Sequence, residues 1–306
     1  GGHLVVVGAE SGTGKTTFTL QVGLQANELG HSGAFFSLEM KTKEIGSKLL
    51  AQRSGIDYDR VRIGKLTKDE RKKMQGVIIQ DEQIGQMYID DTAGASLSYI
   101  GTQIQVMKKK YGITYVIIDY IQLISASGDM IKDERTKTVA ITRGLKRIAK
   151  ENEVCIIALS QLSRAVNSNL GGRPMLKDLK ESGSTVEDAD AVMLLYRPEK
   201  HNIETMPNGE SSAGKTEVIV AKNRHGKPFS FWTNFNTNGN TFVDAGFDGS
   251  MEIPFSHYNR GLLEAKKYDQ AEQSLSGHLK GIEDLDFKQV EAKSAPAVLP
   301  VNPFEE

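Results

Sequence analysis

The chain has 306 residues, 39% hydrophobic and 25% charged, with 38 Lys and Arg against 39 Asp and Glu and a formal net charge of −1. At roughly 150 residues per domain this length allows one domain or two, and the charge balance argues against a broad basic face that coats duplex DNA, while leaving room for a narrow channel built from a few residues. No apolar run approaches the ~18–20 residues that span a bilayer, and no basic stretch followed by an apolar one reads as a signal peptide. The single cysteine, Cys155, excludes an intramolecular disulfide and a Cys-cluster zinc site. In the run Val154–Leu159 it reads as a buried strand residue rather than a reactive thiol.

Gly1-Gly2-His3 runs directly into the apolar, β-branched Leu4–Val7, and the chain is expected to be a fragment cut just before its first core strand. Strand-like runs follow at Ala34–Leu38, Met87–Asp90, Tyr115–Asp119, Val154–Ser160, Ala191–Tyr196 and Glu217–Ala221. Amphipathic stretches at Lys15–Leu29, Thr42–Arg53, Lys68–Gln83, Ser96–Lys110 and Glu134–Glu151 lie between them. This alternation predicts an α/β fold with right-handed crossovers and a mostly parallel central sheet flanked by helices. Past Gly214 the runs shorten (Ser230–Trp232, Thr241–Val243), which predicts antiparallel strands added at one edge. The expected organisation is one domain over 1–245 and an extension over 246–306, partly helical and then disordered around Pro296, Pro300 and Pro303.

Ala9-Glu10-Ser11-Gly12-Thr13-Gly14-Lys15-Thr16-Thr17 joins the first strand to the first helix. Backbone N–H groups wrap a phosphate only where side chains leave room, hence Gly12 and Gly14. Ser11, Gly12, Thr13, Gly14, Lys15, Thr16 and Thr17 are the candidate phosphate-binding residues, Lys15 supplying a cation and Thr16 a hydroxyl for Mg2+. Ala9 stands where the general P-loop pattern has Gly. Asp119 ends the run Tyr115–Asp119, where a strand-end carboxylate shares the metal with Thr16. Glu39 ends the run after Phe35. In a parallel sheet it emerges on the same edge and is a candidate to deprotonate an attacking water; spacing alone equally allows a solvated strand-end acid. Gln161, at the end of Ala158-Leu159-Ser160-Gln161, is placed to touch a terminal phosphate or to be an ordinary polar strand end. Lys222 and Arg224, in Val220–Gly226, form either a basic hairpin turn or an arginine-finger element that reaches a neighbouring copy.

Six segments in order resemble the C-terminal ATPase domain of DnaB-type replicative helicases, a RecA-like P-loop NTPase family. They are Ser37-Leu38-Glu39-Met40, Ile118-Asp119-Tyr120-Ile121-Gln122-Leu123, Ala158–Arg164, Asp178-Leu179-Lys180-Glu181-Ser182-Gly183, Glu187-Asp188-Ala189-Asp190 and Ala221-Lys222-Asn223-Arg224-His225-Gly226. The likeness spans about Gly2 to Val243. Ala9 at the head of the loop is typical of the family, whereas Lys180 stands where the family more often has Arg.

The resemblance implies a homo-hexameric ring around one DNA strand, with ATP and Mg2+ between subunits and travel in the 5′–3′ direction. Lys15, Glu39, Asp119, Gln161, Lys222 and Arg224 become the catalytic set, and Thr16 and Asp119 the metal pair. Gln161 would couple nucleotide state to the loop Leu162–Lys177. Lys180, Glu181 and Gly183 would hold the DNA backbone, and phosphate-only contact suits sequence-independent movement. The loop Ser125–Glu134 is a second channel candidate. The family's N-terminal primase-interacting domain and linker helix would precede this segment, making primase and a helicase loader expected partners. A cytoplasmic location is implied, with no membrane partner. The competing classes are a RecA-fold ring ATPase without unwinding and a nucleotide-dependent DNA-binding scaffold.

Overall fold

The computed structural model describes residues 1–81, 85–125, 134–179, 187–206, 208–236 and 240–245. Lys180, Glu181 and Gly183, most of the loop Ser125–Glu134, and the extension 246–306 lie outside the described residues.

Among the described residues nine strands form one sheet in the order β3-β2-β4-β5-β1-β6-β7-β8-β9. Six run parallel: β1 (Leu4–Ala9), β2 (Gly33–Ser37), β3 (Met87–Asp90), β4 (Tyr115–Asp119), β5 (Cys155–Gln161) and β6 (Ala191–Tyr196). Their connections carry helices α1 (Lys15–Glu28), α2 (Thr42–Ser54), α3 (Tyr58–Ile63), α4 (Lys68–Asp81), α5 (Leu97–Tyr111) and α6 (Glu134–Asn152). Among these helices none is long and apolar enough to cross a membrane.

The central apolar strands are buried on both faces, and their period of two divides them between two layers. Val6, Phe36, Val116, Ile118, Ile156 and Ala158 pack with Ile100 and Ile104 of α5 and Ile141, Leu145 and Ile148 of α6. The alternate residues Phe35, Ile117 and Leu159 pack with Leu20 of α1 and Ile45 of α2. Helix α3 is not predicted from periodicity. Asp57 caps it by accepting the Arg60 N–H, Gly64 ends it in the left-handed region, and Val61 alone on it is buried. Cys155 opens β5 half-buried, and burial raises its thiol pKa.

The direction of the sheet changes at β7 (Lys215–Asn223), which pairs antiparallel with β6; β8 (Phe229–Asn236) and β9 (Thr241–Asp244) continue the meander. Both β7 and β8 extend beyond the predicted runs. The Gln21 side-chain amide binds the N–H and C=O of Phe242 at 2.7 and 2.6 Å, docking β9 against α1. Arg173, in the segment after β5, is tied to Glu217 of β7 by two hydrogen bonds of 2.8 and 2.7 Å, with the side chains 8% and 0% exposed. Truncating Arg173 to Met leaves a fully buried carboxylate without its bidentate partner. The expected cost is ~3–5 kcal/mol in urea unfolding, a large part of a domain's usual ~5–15 kcal/mol. Replacing Arg173 and Glu217 together by Met and Leu is expected to recover most of that loss.

Candidate active site

Every parallel strand of the sheet ends on one edge, and the predicted phosphate loop lies there between β1 and α1. Gly12 and Gly14 have φ of 71° and 104°, a region that side chains beyond glycine rarely enter. Gly14 is the N-cap of α1 and no side chain caps the helix, nor does an acid occupy its first turn. The first N–H groups of α1 and the positive end of its dipole therefore remain available to an anion. Ser11 and Gly12 are exposed, while Thr13 and Thr17 are buried.

The Lys15 ammonium folds back onto the loop, donating to the carbonyls of Ala9 at 2.9 Å and Glu10 at 3.2 Å. Burial lowers its pKa, opposed by the carboxylates of Asp119 and Glu39. Thr16 Oγ1 donates to Asp119 Oδ2 at 2.6 Å. Asp119 is 3% exposed, and burial raises its pKa against the Thr16 hydrogen bond and the nearby Lys15 charge. Among the described residues there is no group of three or more His, Cys, Asp or Glu suited to a metal. A hydroxyl and one carboxylate in contact instead suit Mg2+, which takes hard oxygen ligands, keeps several waters and shares its shell with substrate phosphates.

Ser37 of β2 lies in register with Asp119 of β4, and the Leu38 N–H donates to the Asp119 carbonyl at 2.8 Å. The Ser37 hydroxyl then holds the turn by bonding both the N–H and the C=O of Met40. Glu39 sits exposed at the tip of that turn, close enough to Lys15 and Asp119 to influence both. Gln161 lies opposite Ala9 in the pairing of β1 with β5, and the next N–H, of Leu162, donates to the Ala9 carbonyl at 3.2 Å.

The predicted residues Ser11, Gly12, Thr13, Gly14, Lys15, Thr16, Thr17, Glu39, Asp119 and Gln161 are thus brought to one edge. Lys222 and Arg224 are not. Antiparallel β7 carries them to the other end of the sheet, where Val192 pairs with Lys222 and the Arg224 N–H donates to the Asp190 carbonyl at 2.8 Å. The Asp190 N–H in turn donates to the carbonyl of Leu4, five residues before Ala9, which places Arg224 roughly 16 Å along the strands from the phosphate loop at about 3.3 Å per residue.

Three further residues, Lys48, Lys200 and His201, belong to this edge and carry no motif in the sequence, and Gln122 of the block Ile118–Leu123 joins them. Lys48 of α2 has its pKa lowered by burial, and the Asp119 charge opposes that shift. Lys200 donates to the Ser11 carbonyl at 2.8 Å, and His201 Nε2 lies 2.8 Å from Glu10 Oε2. Both belong to the turn Pro198–His201 that follows β6. Gln122 donates to Ser160 Oγ at 3.0 Å and receives the Gln161 N–H at 3.4 Å, joining the ends of β4 and β5.

A doubly wound sheet, a glycine-rich loop opening α1 and a strand-end carboxylate bound to the loop's hydroxyl define a P-loop domain of RecA-like architecture. The model of the family described as the DnaB-like helicase C terminal domain matches residues 1–244, and the chain belongs to that family. It is 35% identical over 242 residues to the replicative DNA helicase DnaB of Geobacillus stearothermophilus, and 37% identical over 243 residues to the replicative DNA helicase DnaC of Bacillus subtilis (strain 168). Each match covers 79% of this chain and 52% of the relative, so the chain spans about half the length of these curated relatives. A solved DnaB-like replicative helicase, described together with its interactions with primase, matches at TM-score 0.73 and 30% identity over 79% of this chain and 57% of its own. A solved ATPase domain matches equally well, at TM-score 0.73 and 30% identity over 79% of this chain and 84% of its own.

Proposed function

We propose that this chain is the motor domain of a replicative DNA helicase, hydrolysing ATP at the interfaces of a homo-hexameric ring to move along single-stranded DNA and part the duplex. The observation that carries this is the division of the charged groups between two edges of one sheet. The phosphate loop, Thr16–Asp119, Glu39 and Gln161 share one edge, while Lys222 and Arg224 stand at the other. Within one copy these two cations lie too far from Lys15 to share a phosphate with it. A second copy presenting its β7–β8 turn to the first copy's phosphate loop gives them a use.

At such an interface the N–H groups of Gly12 to Thr16 hold the phosphates and Lys15 pairs with the β- and γ-phosphates. Thr16 and Asp119 hold Mg2+, which neutralises phosphate charge when bound. Glu39 orients the attacking water and takes its proton, and Lys222 and Arg224 of the neighbour meet the charge that develops on the γ-phosphate.

Gln161 communicates the loss of that phosphate to the segment after β5. Two observations support this role. Leu162 bridges back to Leu179, and the Ser163 N–H donates to the Asp178 carbonyl at 2.8 Å. The segment between them is therefore closed at its neck, with Gln161 just before it and the proposed DNA-contacting residues Lys180, Glu181 and Gly183 following it in the sequence. Direction of travel, 5′–3′, and contact with primase or a loader follow from the family, and one structural neighbour is a helicase described with its interactions with primase.

The test is a mixture of two inactive variants. Lys15→Ala chains lack the phosphate cation, and Arg224→Ala chains lack the trans cation. Mixed at equal amounts, some interfaces join an intact Lys15 to an intact Arg224, so ATP hydrolysis is expected to return in part. No return, with both variants folded and assembled, contradicts a site shared between copies.

A further inference from the structure

The segment Glu187-Asp188-Ala189-Asp190 takes no part in the edge around Lys15. It lies just before β6, beside the end of β7, and it holds both Lys222 of β7 and Arg224 of the turn that follows. The Lys222 ammonium donates to the carbonyls of Glu187 at 3.0 Å and Ala189 at 2.7 Å. Arg224 Nη1 donates to Asp190 Oδ1 at 2.9 Å.

Asp190 is itself fixed from several sides. Its residue is 5% exposed. Its Oδ2 accepts the Leu4 N–H at 2.8 Å and the Lys146 ammonium of α6, and His3 Nδ1 lies 3.7 Å away. Its backbone N–H and C=O bind Leu4 and Arg224, both at 2.8 Å. Groups from β1, α6 and the turn after β7 therefore converge on one buried side chain. The Arg224 side chain is different: it is 48% exposed, and Asp190 takes one of its nitrogens. Its other nitrogens have no hydrogen-bond partner among the described residues.

We propose that Asp190 is a positioning residue for the trans-acting Arg224. It grips one nitrogen from the protein side and leaves the rest of the planar fork facing outward, toward the γ-phosphate held by the next copy. A long side chain that is ordered in advance loses less conformational entropy when the interface closes, and a guanidinium has donors enough to keep Asp190 while meeting phosphate. The proposal rests on the reading of Arg224 as a trans element.

Asp190→Asn keeps the shape of the side chain and removes the charge that holds the guanidinium. In the wild-type background it is expected to lower kcat for ATP by about 10²-fold, the cost of a small misplacement of a catalytic group, with much less change in KM. Added to Arg224→Ala it is expected to lower kcat no further.

The decisive readout is again a mixture with Lys15→Ala chains. A defect that acts through Arg224 falls on the neighbour's site, so Asp190→Asn with Lys15→Ala should regain hydrolysis as Arg224→Ala with Lys15→Ala does. If the Arg224→Ala mixture recovers and the Asp190→Asn mixture does not, Asp190 serves its own copy's fold and the proposal is overturned. If neither recovers, the trans reading of Arg224 falls first, and this proposal falls with it.

Lys146→Met removes another partner of Asp190 without touching Arg224 and is expected to hold kcat near the wild-type value; a loss equal to that of Asp190→Asn also overturns the proposal. Should Asp190→Asn not fold, Asp190→Glu carries the same test. It keeps the charge and moves the carboxylate by one methylene.

Discussion

Replacing Glu39 by Gln is expected to leave ATP binding nearly unchanged and to lower steady-state hydrolysis by ~10²–10⁴-fold, the usual contribution of a positioned general base. Glutamine has the size of glutamate and still accepts a hydrogen bond, so the turn held by Ser37 and Met40 is undisturbed. What disappears is the ability to take a proton from water. Glu39 is exposed at the tip of that turn, and the Thr16–Asp119 hydrogen bond is made without it, so its replacement is expected to leave the phosphate loop and the Thr16–Asp119 pair in place. Titration with a fluorescent ATP analogue reads the first expectation and phosphate release the second. Normal turnover in this variant removes Glu39 as the base; lost binding assigns it to holding the nucleotide.

Arg224→Ala is expected to lower hydrolysis by ~10³–10⁵-fold, the range associated with an arginine finger. A structural explanation for a loss of that size fails on magnitude. The side chain is half exposed, and Asp190 keeps Lys146 and the Leu4 N–H after Arg224 is truncated. The penalty to folding is then near that of an exposed ion pair, ~0.2–1 kcal/mol, and urea unfolding should show no more. ATP affinity of the variant's own phosphate loop should also persist, because Arg224 stands at the opposite edge of its own sheet. A fall in rate without a fall in stability or binding is the expected combination.

The parallel sheet was legible because most of its strands are continuous apolar runs that need both faces covered, and the runs of β1, β2, β4 and β5 end at the edge where the candidate site residues gather. The phosphate loop was legible for a related reason, since its backbone requirement admits little but glycine at Gly12 and Gly14. Helix α3 was not, because six residues with Val61 alone buried carry no periodic signal. Lys200 and His201 were invisible for another reason. They reach Ser11 and Glu10 across 189 and 191 positions of chain, and only the adjacency of β6 to β1 brings them together. Asp190 stood in a visible block of acids, but its value depends on Leu4, Lys146 and Arg224 converging from three elements. The placement of Lys222 and Arg224 away from Lys15 follows from a single reversal of strand direction at β7, which short polar-interrupted runs only hint at.

The central claim, an ATP site completed by a second copy and coupled to single-stranded DNA, is tested most directly by steady-state ATP hydrolysis over a range of protein concentrations, with and without single-stranded DNA. Turnover per chain is expected to rise with protein concentration as interfaces form, and to rise again when DNA is added. Turnover per chain that is independent of concentration and indifferent to DNA would contradict the claim.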